Sequence, residues 1–365
     1  MSDIEVIGDV RPETLGRFDA IIDVRSPAEF AQDHLPGAVN LPVLGDAERA
    51  EVGTIYVQDS RFRARRLGAA IIARNVARHL EGWFADRDGA FRPLIYCWRG
   101  GQRSGAMATI LSQVGWRTAV LAGGYRTWRR DVKARLYDEE PALALVLLDG
   151  RTGSGKTEVL SRLAARGVQT LDLEALAEHR GSVFGGIAGR PQPSQKLFES
   201  RLVAALAALD PCGPILVEAE SSKVGDRMVP PMLWKAMTAA ARITLVAPTA
   251  ARAGYLARHY GDLVRDRAAF EVQLGRLPAY PGRKALERWR ALADAGDLEA
   301  IAAELVESHY DPAYDRAARK DTRARLATIE LAGLDEAAQE VAADQVAALV
   351  EPWRAGAGRS VGGAG

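Results

Sequence analysis

At 365 residues, 48% of them hydrophobic, the chain is long for one domain and apolar enough to give each of two domains a core. Two cysteines exclude a disulfide framework, and nothing around them has the spacing of a four-ligand zinc cluster. A net charge of +1 excludes a strong whole-protein field, so any nucleic-acid affinity has to come from local clusters.

The N-terminus, MSDIEVIGDV, has neither the basic nor the apolar region of a signal peptide. No apolar run nears the ~20 residues needed to span a bilayer. A soluble, cytoplasmic protein with reduced thiols and no membrane partner is expected. The first half alternates short apolar runs with helical patterns. AIIDVR (20–25), GAVNLPV (37–43), PLIYCW (93–98) and TAVLAGG (118–124) read as buried strands. Between the second and third, 59–84 has helical spacing, with Leu67, Ile71, Ile72, Val76 and Leu80 on one side and Arg61, Arg63, Arg65 and Arg66 around its start. Strands separated by helices imply parallel pairing in an α/β layer fold.

DEEPA (138–142) breaks the pattern, and a second set follows: ALVLLDG (144–150), QTLDL (169–173), GPILVEAES (213–221) and ARITLVAP (241–248). After Pro248 the pattern is helical almost to the end, and AGAGRSVGGAG has little that packs, so a disordered tail is expected. The expected divisions are 1–138 with a basic helical insert at about 53–84, 139–250, a mainly helical part at 251–354, and the tail 355–365. Further basic clusters lie at 126–135 and 316–325. Each basic cluster reads either as a phosphate contact or as a solvated helix face.

Cys97 ends the strand PLIYC and opens the loop WRGGQR, ahead of a helix closed by Gly115. Gly100 and Gly101 let the backbone curl into an anion nest, the helix N-terminus adds partial positive charge, and Arg99 and Arg103 add full charges. All of these favour a thiolate, and all would hold an incoming oxyanion. Cys212, in DPCGP, reads as a turn residue. IIDVRSPAEFAQDHLPGAVNLPV, YCWRGGQRS and LAGGYRTWRR resemble the three signature segments of a rhodanese domain, over roughly residues 5–135. That resemblance implies that Cys97 carries sulfur or a related chalcogen, with Asp23 and Arg25 bracing the loop. His34, in the DHLPGAVN turn, reads as structural. The insert at 53–84 is longer than a single rhodanese domain needs.

LVLLDGRTGSGKTEVL is a strand, a glycine-rich loop and a helix. Gly150, Gly153, Ser154, Gly155, Lys156 and Thr157 form a phosphate cradle in which backbone N–H groups wrap oxygens, Lys156 bridges them and Thr157 can ligate Mg²⁺. The next acidic strand offers Glu218 and Glu220 in place of the usual Asp, as metal ligand, acid/base or plain strand end. No guanine-selecting N-K-x-D occurs, so a diphosphate other than ATP or GTP is admissible, and no metal site is defined by the sequence.

A rhodanese-like domain joined to a P-loop NTPase-like parallel α/β domain with a helical extension resembles the tRNA 2-selenouridine synthases. YVQDSRFRARRLGAAIIARNVARHL (56–80), LEALAEHRGSVFGG (173–186), ESSKVGDRMVP (220–230) and SHYDPAY (308–314) extend the likeness to nearly the whole chain. The resemblance implies replacement of sulfur by selenium in 2-thiouridine at the wobble position of tRNA, with geranyl diphosphate alkylating the sulfur and selenophosphate then delivering selenium. A selenophosphate-supplying enzyme is a second candidate partner. Cys97 would carry selenium as a selenosulfide or attack the displaced group; the residues leave both open. Arg99 and Arg103 would hold selenophosphate. Arg61, Arg63, Arg65 and Arg66, with His179 and Arg180, are the candidate tRNA contacts, and Tyr56, Trp98 or Phe184 a candidate platform for an unstacked base. Two rival readings are a sulfurtransferase fused to a nucleotide-dependent switch or kinase without RNA, and a binding module with an inert thiol.

Overall fold

Among the described residues of the computed structural model the strands, numbered in chain order, are β1 (Glu5–Ile7), β2 (Ala20–Asp23), β3 (Val39–Asn40), β4 (Pro93–Tyr96), β5 (Ala119–Leu121), β6 (Leu145–Gly150), β7 (Gln169–Leu171), β8 (Ile215–Glu218), β9 (Lys223–Val224), β10 (Arg227–Met228), β11 (Ala241–Val246) and β12 (Arg325–Glu330). Residues 4–140, 143–182, 184–187, 189–275, 277 and 282–357 are described. The chain divides into two units, Met1–Asp138 with Glu199–Ala204, and Glu139–Phe198 with Ala205–Gly365. Among the described residues no helix is long and apolar enough to cross a membrane.

In the first unit an all-parallel sheet runs β1-β5-β4-β2-β3. All four residues of β4 are buried, as a central parallel strand covered on both faces must be. Ile22, Val24, Ile95, Met107 and Leu111 form the core with Ile71, Ile72 and Val76 from the insert. The insert is two helices, Asp46–Gln58 and Arg61–Glu81, the second started by Ser60, whose hydroxyl accepts from the Arg63 N–H at 3.3 Å.

In the second unit the parallel order is β12-β11-β6-β8-β7, and every residue of β6 is buried. Its core joins Val146, Leu148, Leu160, Leu216 and Ile243 to Val346 and Val350 of the helix Glu336–Ala357. A second apolar cluster gathers Phe184, Phe270, Leu286, Trp289, Ile301 and Leu305. Two expectations are corrected. The stretch after Pro248 is not helical throughout, because β12 lies in register beside β11. Only Ile329 of that edge strand is buried, so RLATIE lacks the continuous apolar run that marks a buried strand. The last helix reaches Ala357, into the expected tail; residues 358–365 lie outside the described residues.

Candidate active sites

β4 delivers Cys97 into its loop, and β5 leads to the turn that holds the loop down. Tyr125 N–H donates to the Cys97 carbonyl at 2.8 Å, and Arg126 N–H to the Trp98 carbonyl at 3.3 Å. The approach is close enough that a Cβ on Gly124 would collide with the Cys97 carbonyl, and Gly124 and Gly100 both take positive φ, +57° and +64°. Below the loop, the buried Arg25 guanidinium donates to the Asp23 carboxylate at 2.6 Å and to the Asp33 carbonyl at 2.6 Å. Asp23 and Arg25 are both buried, and the Arg25 guanidinium also lies over the rings of Trp98 and Tyr125. His34 stacks on Phe30 and contacts its carbonyl at 2.9 Å.

The thiol is 4% exposed. Burial alone would raise its pKa, but hydrogen bonds from the Ser104 hydroxyl and from the N–H groups of Ser104, Arg99 and Gly101 outweigh burial and hold it below the ordinary thiol value. Two of those contacts to Sγ measure 3.2 Å from Ser104 Oγ and 3.3 Å from Gly101 N. Over Cys97 lies a cavity of about 520 Å³, rimmed by Arg49, Tyr56, Trp98, Arg99 and Arg103. Arg103 is not the free cation the sequence suggests: it donates to Glu29 at 2.7 Å, and Arg49 joins the same carboxylate at 3.1 Å. Arg99 is exposed and has no ion-pair partner among the described residues. Ser104 escapes a reading of the sequence, silent inside the helix RSGAMA; Glu29 falls within the rhodanese-like signature, but its pairing with Arg103, 74 residues away, does not show there.

In the second unit the glycine loop encloses a cavity of about 350 Å³, walled also by Glu174, Arg180, Gly181, Glu220, Tyr255, His259 and Tyr314. Lys156 Nζ donates to the Gly150 carbonyl at 3.1 Å, and Thr157 Oγ1 to Glu174 Oε2 at 3.1 Å. The Ser154 hydroxyl is buried without a partner among the described residues, the state expected of a donor reserved for a ligand oxygen. The helical segment after β11 fixes the loop from outside. Arg252 donates to the Thr152 carbonyl at 2.9 Å and pairs with Asp311 at 2.6 Å. Arg151 pairs with Asp311 and Asp315, and Tyr314 donates to Asp149 at 2.9 Å.

The carboxylates are redistributed relative to the sequence reading. Glu218 does not line the cavity: fully buried, it accepts from the Leu173 N–H at 2.9 Å and secures the connection after β7. Burial, then the charges of Asp172 and Glu174, keep it far above the usual carboxylate range. Glu220 does face the cavity, hydrogen-bonded to Glu174. Burial, then the neighbouring charge of Glu220, pushes Glu174 up to about 8. The signal for Glu174 was an acidic residue just past a short strand, in QTLDLE. Among the described residues no group of three or more His, Cys, Asp or Glu gathers to hold a metal. Thr157, Glu174 and Glu220 are instead a hard oxygen set of the kind that completes Mg²⁺ arriving with a diphosphate.

Of the other candidates, Arg61, Arg63, Arg65 and Arg66 are exposed along the second insert helix, with Arg63 paired to Asp59 at 2.5 Å. Arg180 faces the phosphate cavity, and His179 lines an adjoining cavity of about 590 Å³ with Arg190, Lys223 and Arg227. Tyr56 and Trp98 line the Cys97 cavity, whereas Phe184 is core, packed on Phe270. Cys212 is exposed in its turn.

The profile of the tRNA 2-selenouridine synthase AAA domain matches residues 143–276, and that of the rhodanese-like domain residues 12–131. A tRNA 2-selenouridine synthase of Nitrosomonas europaea is 36% identical over 300 residues, 78% of this chain and 76% of its own. One from Nitrosomonas eutropha is 34% identical over 271 residues, 73% of this chain and 69% of its own. A solved rhodanese with anions from E. coli is 24% identical, covering 30% of this chain and 88% of its own, with a TM-score of 0.19.

Proposed function

The chain belongs to the tRNA 2-selenouridine synthase family, and from that membership we propose that it replaces the sulfur of 2-thiouridine at the tRNA wobble position by selenium. The observation that carries the chemistry is the pairing, in one chain, of a buried thiol that accepts hydrogen bonds from Gly101 and Ser104 with a glycine loop built for phosphate.

The first step suits the glycine loop. The thiouridine sulfur attacks the carbon of geranyl diphosphate, a C–S bond forms, and the C–O bond breaks with its electron pair leaving on diphosphate. Lys156, the loop N–H groups and the Ser154 hydroxyl stabilise that leaving group, and Mg²⁺, where it accompanies the diphosphate, would be held by Thr157, Glu174 and Glu220 and would neutralise charge. Alkylation makes sulfur a leaving group. The Cys97 thiolate then adds to C2 of the base and geranyl thiolate departs; selenium of selenophosphate displaces Cys97, and water splits the P–Se bond to phosphate. No atom changes oxidation state. A selenosulfide on Cys97 would instead require phosphorus to leave two electrons reduced, or an outside oxidant, so attack at carbon is the role favoured. Arg99 is the rim cation free to meet selenophosphate, with Arg103 held beside it by Glu29.

Nucleoside mass spectrometry of 2-thiouridine tRNA, incubated with geranyl diphosphate and with or without selenophosphate, tests this. The expected products are S-geranyl-2-thiouridine without selenophosphate and 2-selenouridine with it. Unchanged tRNA alongside turnover of ATP or thiosulfate would replace the proposal with a fused sulfurtransferase.

A further inference from the structure

The two insert helices, Asp46–Gln58 and Arg61–Glu81, meet the Cys97 helix Gln102–Val114 around a trench of about 730 Å³. Its walls are apolar or small: Val52, Gly53, Ala64, Gly68, Ile72 and Ala106. It runs into the Cys97 cavity, because Arg49, Tyr56, Arg99, Gln102 and Arg103 line both. The first insert helix buries none of its thirteen residues fully, and Val57 is 82% exposed at its end. Apolar surface left open on this scale marks a place where something binds.

What fits is set by the rim. Four arginines (Arg49, Arg65, Arg99, Arg103) face one carboxylate, Glu29, so the mouth is net positive while the trench is greasy. That combination suits a hydrocarbon chain joined to an anionic head. The other apolar cavity described, bounded by Phe184, Leu256, Ile301 and Tyr310, has about 30 Å³, room for a water molecule and not for a ten-carbon chain.

We infer that the trench holds the geranyl chain of the S-alkylated wobble nucleoside, with its thioether end in the Cys97 cavity and its flanking phosphates at the arginines. This rests on the reading that S-alkylation precedes selenation. It gives the insert a role: only an alkylated base is anchored beside Cys97, which orders the two steps.

The test compares the full chain's affinity for an anticodon stem-loop carrying S-geranyl-2-thiouridine, the same RNA carrying 2-thiouridine, and free geranyl diphosphate. The wild type should prefer the alkylated RNA over the thio RNA by at least ~10-fold, since each buried methylene is worth a severalfold gain. Gly53→Leu and, independently, Ala69→Leu should collapse that ratio toward 1. A Cβ at Gly53 meets nothing within 4 Å, and Ala69, which also lines the trench, is exposed on its helix, so both variants should fold. Equal wild-type affinities, or a preference untouched by both variants, would overturn the inference. So would a trench that serves free geranyl diphosphate alone, seen as variants that weaken only the free donor. Conversion of tRNA in the mass-spectrometric assay would still judge the underlying reading separately.

Discussion

The two cradles share a plan and use it in opposite electrostatic senses. Each sits at the C-terminal end of the middle strand of a five-stranded parallel sheet, β4 in one unit and β6 in the other, followed by a glycine loop and a helix. In both, burial disfavours the charged form of the acidic group concerned. Around Cys97 four hydrogen bonds overcome burial and the thiol is acidified; around Glu174 the largest influence after burial is another carboxylate, and the acid is weakened to about 8. The difference is the supply of donors, not the depth of burial. One cradle therefore favours a thiolate, and the other keeps a carboxyl group neutral to higher pH.

That contrast can be broken in graded ways. The largest effect should follow Lys156→Ala, which removes the cation that the glycine loop itself presents to the phosphate cavity. Affinity for geranyl diphosphate should fall on the order of 100-fold by calorimetry, while the rate of Cys97 alkylation by iodoacetamide stays as it was. Ser104→Ala removes a donor to the thiolate worth about 1.5–3 kcal/mol, so the midpoint of the pH–alkylation profile should rise by roughly one unit or more. An unmoved midpoint would mean that the backbone donors suffice.

Glu174 gives a prediction of opposite sign. Its folded pKa of about 8 lies above the ordinary 4.5, so its share of stability is complete below the ordinary value and is lost as pH rises through about 8. Thermal unfolding of the wild type should therefore weaken across that window more steeply than that of Glu174→Gln; parallel curves would contradict a raised pKa. The smallest effect concerns the insert. Replacing Arg65 and Arg66 by Ala should reduce the slope of log tRNA affinity against log salt by about 1 for each phosphate that is no longer neutralised.

Local chemistry was legible in the sequence, and chemistry assembled by the fold was not. The Cys97 loop and Gly150–Thr157 each lie within one strand–loop–helix segment, where residue order fixes geometry. The eight apolar runs of the two halves each mark a strand for the same reason. Glu29, which neutralises Arg103, and Tyr314, which reaches Asp149 from 165 residues away, are brought in by tertiary packing that no short spacing encodes. Glu218 misled because strand alternation says which side a residue faces but not whether the next connection needs its carboxylate. β12 hid because an edge strand with one buried residue carries no apolar signature.

The central claim is that two separate sites perform two successive steps on one base, and nucleoside mass spectrometry of Cys97→Ser and Lys156→Ala tests it most directly. Cys97→Ser should accumulate S-geranyl-2-thiouridine and make no selenouridine. Lys156→Ala should leave 2-thiouridine unalkylated yet still selenate a tRNA supplied already geranylated. Loss of both steps in both well-folded variants, or full selenation by Cys97→Ser, would contradict it.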